Sequence, residues 1–365
     1  MKNKLLTTTA ISAVMLMGVA NVNAQTTVKG QVHLTYKALS NENATGANTG
    51  AGSFRGFGKE TQLDIATAGK LNNGMSYAAG FALEFDGSDL SQTGGAAQTQ
   101  NSSGIHNENV FIDFISGNTT ITVGADHVQN PDFTYTNLVG LRADPENLFA
   151  GSSNAATGAT SPTASIYPGS GTTKYESYGA GIIQNLGIAK ASYYYVPGGI
   201  AGDENGGGTS FQAQIDSGES SHEFMIRGDF GVKGLDATLF YSHLDTEGST
   251  AQDTVGRMIG AKYTLGNVSV SGEIKRNTGA SNTTTGKGLA LGYAVNKDLS
   301  VSIGQQKAEI GGVGQNEEKI KFLQVGYSLG PVTTGLSYGK GDNIGGGTTS
   351  GVNTDVLYLQ LSTAF

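Results

Sequence analysis

After its first two dozen residues, the chain is a succession of segments of about ten residues in which apolar side chains occupy alternate positions. Between Val28 and Ala38 the even positions are apolar or small, and the odd positions are polar: Lys29, Gln31, His33, Thr35 and Lys37. Side chains of a β-strand point alternately to its two faces, so such a segment has one apolar and one polar face. The same alternation recurs at 75–86, 221–232 and 286–296. The pattern predicts an all-β fold.

The connections between these segments distinguish a barrel from a soluble sandwich. Sixteen candidate strands can be counted, at 27–39, 59–71, 75–86, 107–115, 119–128, 172–183, 187–197, 221–232, 235–247, 254–265, 268–278, 286–296, 299–309, 319–329, 332–341 and 353–365. Seven links are tight turns, eight are mostly longer and polar, and the two classes alternate strictly. Short turns at one rim and long loops at the other are typical of membrane barrels, whereas a sandwich has no reason to separate them. The sequence predicts an antiparallel transmembrane β-barrel of about sixteen strands, and 198–220 leaves an eighteen-strand variant open.

Hydrophobicity and proline placement favour the same architecture. Beyond the N-terminal region no segment is apolar enough to span a membrane as a helix, and a closed sheet is the other structure that pairs every backbone group in lipid. All six prolines lie outside the interiors of the candidate strands, as expected because proline has no N–H to donate to a neighbouring strand.

The N-terminus has the layout of an export signal. Lys2 and Lys4 precede a mostly apolar run that extends to about Ala20, and the residues 22–24 fit a small-x-small cleavage site. We therefore expect residues 1–24 to be a cleaved signal peptide and residues 25–365 to form a single barrel domain. The alternative is a membrane-anchoring helix, but the apolar run is short for that role.

Charge and composition exclude several classes of protein. The formal net charge of −8 becomes −10 when the leader with Lys2 and Lys4 is removed, so the chain lacks the basic stripe that nucleic acid requires. Without cysteine, it has neither disulfides nor cysteine-based metal sites. Its five histidines are scattered, and it has no phosphate-binding loop. We expect neither catalysis nor a cofactor.

Several stretches resemble the Gram-negative porin family. The runs 107–114 and 116–124 resemble the hairpin that precedes the porin constriction loop, 174–177 resembles the strand start after that loop, and the terminal Phe365 resembles the porin assembly signal. The resemblance covers most of the mature chain, as pattern more than as identity. It implies a homotrimeric, sixteen-stranded diffusion porin of the outer membrane, in which the third long loop folds into the lumen and narrows it.

The third long loop, about 129–171, is therefore the candidate constriction. By the resemblance, its acidic side chains face basic side chains on the opposing wall. The candidate residues in or beside the loop are Asp126, Asp132, Arg142, Asp144 and Glu146, and those on the first two strands are Lys29, His33, Lys37, Arg55 and Lys59. Gly124 is followed by Ala125, where many porins carry arginine, so the usual basic cluster is not reproduced. Solvated lumen charges without a special role are the alternative.

The loop acids have a second possible role. The carboxylates of Asp132, Asp144 and Glu146 are of the kind that a hard cation such as Ca²⁺ prefers. Solvated loop acids are the simpler interpretation.

The predicted function is passive diffusion of ions and small hydrophilic solutes, because sixteen strands enclose a wider space than side chains can fill. The acidic balance of the chain favours a mild preference for cations. Two alternatives stay open: a substrate-specific porin, and an exported β-rich adhesin or structural surface protein without a pore.

Overall fold

The computed structural model describes residues 25–41, 54–86, 106–125, 134–141, 148, 178–196, 219–246, 253–279, 283–310, 317–344 and 352–365. These residues form sixteen β-strands in a single sheet, in which each strand is antiparallel to the next and the first pairs with the last. The strands are β1 (Gln25–Asn41), β2 (Phe54–Lys70), β3 (Ser76–Asp86), β4 (His106–Ser116), β5 (Thr119–Ala125), β6 (Tyr178–Asn185), β7 (Ala189–Val196), β8 (Glu219–Gly228), β9 (Leu235–Thr246), β10 (Thr254–Leu265), β11 (Val268–Thr278), β12 (Thr283–Ala294), β13 (Leu299–Ile310), β14 (Glu318–Leu329), β15 (Val332–Ile344) and β16 (Val352–Ala364). Within the described ranges, no helix has the length and apolar character needed to cross a membrane.

The predicted fold class is confirmed, and most strand bounds agree to within a few residues. The described strands close into a ring of sixteen, so the eighteen-strand variant is wrong for this part of the chain. Two boundaries differ clearly: β2 begins at Phe54 and not at residue 59, and β8 ends at Gly228 and not at residue 232. The Gly231 N–H donates to Asp229 Oδ1 at 2.9 Å, and both Phe230 and Gly231 have positive φ, so the chain reverses there in a side-chain-stabilised turn.

The two faces of the sheet differ in chemistry. On one face large apolar side chains are exposed, such as Leu289 at 60% and Ile259 at 55%. On the other face lie small and polar residues such as Ser271, Ser302 and Ser337, all buried. Directly paired residues share a face, so the register carries this assignment around the ring. The apolar face points outward to lipid and the polar face lines the lumen, as the alternation predicts.

Outward tyrosines mark one edge of the apolar belt. Tyr263, Tyr293 and Tyr327 lie close to the tight turns at the ends of β10, β12 and β14, and all three are exposed. Amphipathic rings settle at the boundary between hydrocarbon and water. They therefore place the short-turn rim at one membrane interface and the long loops at the other.

Candidate functional site: the third loop on the lumen wall

Residues 134–141, which belong to the third long loop, lie inside the barrel against the inward faces of β9 to β15. We call them the lumen segment. The segment is compact because the Asn137 side chain closes it on itself. Asn137 Oδ1 accepts hydrogen bonds from the N–H groups of Gly140 (3.1 Å) and Leu141 (3.3 Å), and its Nδ2 donates to the Leu141 carbonyl at 2.6 Å. Gly140 has φ of 68°, a left-handed conformation that glycine adopts without strain.

A buried carboxylate of the wall holds the start of the lumen segment. Glu273 of β11 accepts the Tyr135 N–H at Oε2 (2.6 Å) and the Thr134 hydroxyl at Oε1 (2.8 Å). Lys275, two residues further along the same strand, places Nζ 3.5 Å from Glu273 Oε1. The two side chains are only 3% and 5% exposed, so the lysine supplies the charge that a buried carboxylate needs. Glu273 therefore holds the lumen segment by the backbone N–H of Tyr135 as well as by the side chain of Thr134.

The Tyr135 ring is a second anchor. Its hydroxyl lies 2.7 Å from Thr238 Oγ1 and donates a longer bond of 3.4 Å to Asp236 Oδ1. Arg227 binds both Asp236 oxygens, at 2.9 and 2.8 Å, with its guanidinium carbon 6.0 Å from the centre of the ring. Burial raises the pKa of the Tyr135 hydroxyl to about 12, so the anchor is neutral at ordinary pH.

Inward glycines make room for the lumen segment. Along β10, β12, β14 and β15 the side chains of the segment lie over glycines of the wall, with Tyr135 over Gly260, Thr136 over Gly288, Leu138 over Gly292, Val139 beside Gly326 and Leu141 over Gly335. We call these five glycines the glycine track. A Cβ atom at Gly260 would overlap the Tyr135 ring, and one at Gly335 would overlap Leu141. Glycine on this wall therefore permits close approach of the loop.

Beyond the track, part of the inward surface is apolar. Leu138 and Leu148 pack with inward side chains of β1 and β12 to β16, which are Leu39, Ala290, Ala308, Ile320, Phe322, Ile344, Val356 and Tyr358. The inward face is therefore apolar along this arc, and not polar as the alternation in the candidate strands predicts. The physical reason is that the loop covers these side chains and shields them from lumen water.

The predicted basic residues of the first two strands divide between the two faces. Lys29, His33 and Lys37 lie on the inward face of β1, where His33 Nδ1 is 2.7 Å from Ser362 Oγ. Lys59 pairs with the outward Leu34, and Arg55 pairs with Ala38 on the same face. Placing Arg55 and Lys59 toward the lumen was therefore wrong, because a residue's face follows from the register and not from its charge.

The five predicted residues in or beside the loop, Asp126, Asp132, Arg142, Asp144 and Glu146, lie outside the described residues. The strand start expected at 174–177 does so as well. Among the residues that are described, no group of three or more His, Cys, Asp or Glu side chains could hold a metal ion. The Ca²⁺ site therefore stays a prediction.

Sequence reasoning missed the residues that hold the loop, chiefly Glu273, Asp236 and Arg227. A usable signal was present, since Glu273 and Lys275 are charged residues two apart on the polar face of a candidate strand. Two charges facing the same side in the middle of a membrane strand need partners inside the barrel. Their partner on the loop was not evident, because Tyr135 is 138 residues away in the sequence.

Comparisons with known proteins agree with this geometry. A family model described as Gram-negative porin matches residues 7–364. No curated protein sequence matches the chain significantly. Among solved structures, an anion-selective porin from Comamonas acidovorans is similar with TM-score 0.63 and 15% identity, over 94% of this chain and 100% of that one.

Two further structures have the same architecture. The outer membrane protein OmpT of Vibrio cholerae, folded in vitro, matches with TM-score 0.58 and 11% identity, over 95% of this chain and 99% of that one. A triple mutant of the Rhodopseudomonas blastica porin matches with TM-score 0.57 and 11% identity, over 93% of this chain and 100% of that one. At these identities the likeness concerns the fold. Together with the closed barrel, the comparisons do not favour an adhesin without a pore.

Proposed function

The chain belongs to the Gram-negative porin family, and from this premise we propose that it works as a trimer of channels, each narrowed by its third loop and mildly selective for cations. As an outer-membrane porin it forms a channel for passive diffusion of ions and small hydrophilic solutes. Family and fold point to a channel and not to an enzyme. The observation that carries the proposal is the lumen segment, which is fixed to the wall by Glu273 and Tyr135.

The narrowing follows from where the lumen segment lies. The third loop joins β5 to β6, and the segment contacts β9 to β15. In a ring of sixteen strands, those contacts include the side opposite to the loop's own strands. A loop that reaches that wall occupies part of the cross-section and leaves solutes the remaining space. In this proposal residues 126–133 and 142–147 complete the constriction.

The wall that the segment leaves uncovered favours cations. Among the charged side chains described on β1 to β8, the inward acids are Glu60, Asp64, Glu84, Asp113 and Glu223, and the inward bases are Lys29, Lys37, Lys70, Lys190 and Arg227. Arg227 is already bound by Asp236. The five acids exceed the four remaining bases by one, and a surplus of carboxylates along a channel wall raises the local concentration of cations.

Reversal potentials under a salt gradient test this selectivity. We expect a reversal potential of the sign that marks mild cation preference. The potential should be smaller in the variant Asp113→Asn/Glu223→Gln. It should be unchanged in the control Glu309→Gln, because the side chain of Glu309 points outward. Anion selectivity of the unaltered protein would overturn the proposal. The Comamonas porin is described as anion-selective, but at 15% identity that property does not carry over to this chain.

A general channel also differs measurably from a substrate-specific one. We expect conductance to rise in proportion to salt concentration and to show no saturable block by any single sugar or amino acid. A block that saturates with one solute would favour the substrate-specific alternative.

No cofactor enters this proposal. The alternative, a Ca²⁺ ion bound by the loop acids, is tested by measuring conductance with added Ca²⁺ and with a chelator as the control.

Trimer formation has a candidate surface on the outside of the barrel. A groove runs over β15, β16, β1 and β2 and is lined largely by Leu34, Tyr36, Phe57, Leu359 and Leu361. Phe57 is 79% exposed in the single chain and packs against Tyr36 with ring centres 5.1 Å apart. An exposed ring of this kind is suited to contact with a second copy.

The oligomer band on non-denaturing gels tests the groove. Phe57→Asp is expected to convert a detergent-resistant trimer into monomers, whereas Phe114→Asp, also outward and exposed but on β4, is the matched control. A trimer that persists in Phe57→Asp would remove this groove from the proposed interface.

A further inference from the structure

Two histidines face each other across neighbouring strands on the outside of the barrel. The register pairs His222 of β8 directly with His243 of β9. Both lie on the outward face, because each is two residues from an exposed aromatic side chain of its own strand, Phe224 on β8 and Tyr241 on β9. They are close to the strand ends that lead into the long loops. We call them the histidine pair.

Each imidazole ring is held through one of its two nitrogens. His222 Nδ1 lies 2.9 Å from the hydroxyl of Tyr193 on β7. His243 Nε2 lies 3.2 Å from Oδ2 of Asp253, which immediately precedes β10. In the ranges that the structure describes, no other side chain forms a hydrogen bond with either ring. His222 Nε2 and His243 Nδ1 are therefore the nitrogens at which a ligand can bind.

This arrangement is typical of histidines that bind a metal ion. Such a histidine donates its second ring N–H to a carboxylate or another oxygen, which fixes the tautomer and leaves a lone pair on the nitrogen that faces the ion. Asp253 is suited to this role for His243, and the Tyr193 oxygen is suited to it for His222. The Cβ atoms of directly paired residues lie about 4.5–5.5 Å apart, so both rings can reach one ion at metal–nitrogen distances of about 2.0–2.1 Å.

The surroundings of the histidine pair admit a cation from water. The side chain of His243 is 31% exposed and that of Asp253 is 51% exposed. Asp245, two residues beyond His243 on the same face, adds a second carboxylate on the long-loop side. Arg257 lies toward the membrane, where it pairs with Tyr241. The two carboxylates outnumber this one base, so the local charge favours a cation.

Two tyrosine rings pack on the β7 side of the pair. The ring centres of Tyr193 and Tyr195 lie 6.1 and 4.9 Å from that of His222. They restrict rotation of the imidazole and place two fluorescent side chains beside it. Because the chain contains no tryptophan, its fluorescence comes from tyrosine and reports events at these rings.

We propose that the histidine pair binds a divalent transition-metal ion, Cu²⁺ most tightly, through His222 Nε2 and His243 Nδ1. Imidazole nitrogen suits copper, nickel and zinc, and sites of this kind have their highest affinity for Cu²⁺. The described residues contain no group of three or more His, Cys, Asp or Glu side chains that could hold a metal, so water completes the coordination. The ion links the long-loop ends of β8 and β9. This role is independent of pore selectivity and of the trimer groove on β15 to β2.

Copper binding by the purified, folded protein in detergent tests the proposal. Quenching of tyrosine fluorescence during titration with Cu²⁺ gives the affinity, and pulsed electron paramagnetic resonance counts the imidazole rings bound to the ion. The variant is His222→Gln/His243→Gln, and the matched control is His33→Gln, which removes a histidine from the inward face of β1. We expect one ion per chain with two imidazole rings. The variant should lose affinity by on the order of tenfold or more, and the control should keep it.

Asp253→Asn tests the positioning of His243. This variant keeps both nitrogen ligands but loses the carboxylate that accepts the His243 N–H. We expect Cu²⁺ affinity to fall by about 10- to 100-fold while the resonance spectrum still shows two imidazole rings. An unchanged affinity would contradict the role of Asp253.

Four results would overturn the proposal. Equal Cu²⁺ affinity in the double variant and the unaltered protein would show that the pair holds no metal. A spectrum with a single imidazole ring would exclude an ion shared by both histidines. Binding of Ca²⁺ or Mg²⁺ as tight as that of Cu²⁺ would indicate oxygen ligands, which these hard ions prefer. One ion for every two or three chains would indicate a contact between copies.

Single-channel conductance and the heat-modifiable band show whether each variant is folded. If the double variant does not assemble, the single variant His243→Gln replaces it, and the same loss of Cu²⁺ affinity is expected because it removes one of the two ligands. Full Cu²⁺ affinity in folded His243→Gln would contradict the proposal.

Discussion

The backbone of Phe365 is paired in both directions with that of Gly30. The Gly30 N–H donates to the Phe365 carbonyl at 2.8 Å, and the Phe365 N–H donates to the Gly30 carbonyl at 2.9 Å. The Phe365 ring covers Gly30, where a Cβ atom would overlap it. Since β1 and β16 form the seam of the barrel, Phe365 adds a further pair of bonds to that seam.

Deletion of Phe365 is expected to impair assembly more than Phe365→Ala. The deletion removes both seam bonds, each worth about 1 kcal/mol net, as well as the ring. Alanine loses only a ring that is 78% exposed. The measurement is the fraction of heat-modifiable, folded protein in the outer membrane. Normal insertion of the deleted chain would show that Phe365 is not the assembly signal that the resemblance to porins implies.

Glu273→Gln is expected to loosen the lumen segment and destabilise the barrel by about 3–5 kcal/mol, because it breaks the buried ion pair of Glu273 with Lys275. Chemical unfolding monitored by far-UV circular dichroism gives the free energy of unfolding. Increased noise of the single-channel current reports loosening of the lumen segment. Glu273→Gln/Lys275→Met removes both charges and should recover much of the stability. If the single variant were as stable as the unaltered protein, the buried pair would not be the anchor described here.

Gly260→Val is expected to increase single-channel conductance, because its side chain would occupy the place of the Tyr135 ring and displace the lumen segment. Gly56→Val on β2 is the matched control, since an added Cβ there meets no atom within 4 Å. Unchanged conductance in a folded Gly260→Val protein would mean that the segment does not limit the current.

Docking of the lumen segment should weaken at high pH through Tyr135. The pKa of this hydroxyl is raised by burial from 10.0 to about 12, so its contribution to docking is complete below pH 10 and is lost as the pH rises toward 12. We expect conductance to increase over that range in the unaltered protein. Tyr135→Phe cannot ionise at this position and should therefore lack this increase in conductance. An identical pH profile in both proteins would contradict a role of Tyr135 in docking.

The strand pattern was predictable because it is local. Alternation at Val28–Ala38 and the turn at Gly266 are visible within a dozen residues, and lipid imposes the outward face on each strand separately. The same local rule would have corrected the placement of Lys59 toward the lumen. Lys59 has the parity of Phe57, Leu63 and Ile65, so alternation itself places it outside.

The loop's position was not predictable in this way. Its contacts join residues more than a hundred positions apart, such as Tyr135 with Asp236 and Thr136 with Gln306. A glycine at position 288 or 335 can permit a turn, a bulge or close approach, and only the assembled barrel shows which of these applies. The resemblance to porins supplied the expectation of an inward loop, while the anchoring residues emerged from the three-dimensional arrangement.

The most direct test is conductance of the purified protein in a planar lipid bilayer. The account predicts stepwise insertions, with each event comprising three equal steps, and an ohmic current that grows with salt concentration. Folded protein that binds to the bilayer without producing any conductance would contradict a water-filled channel.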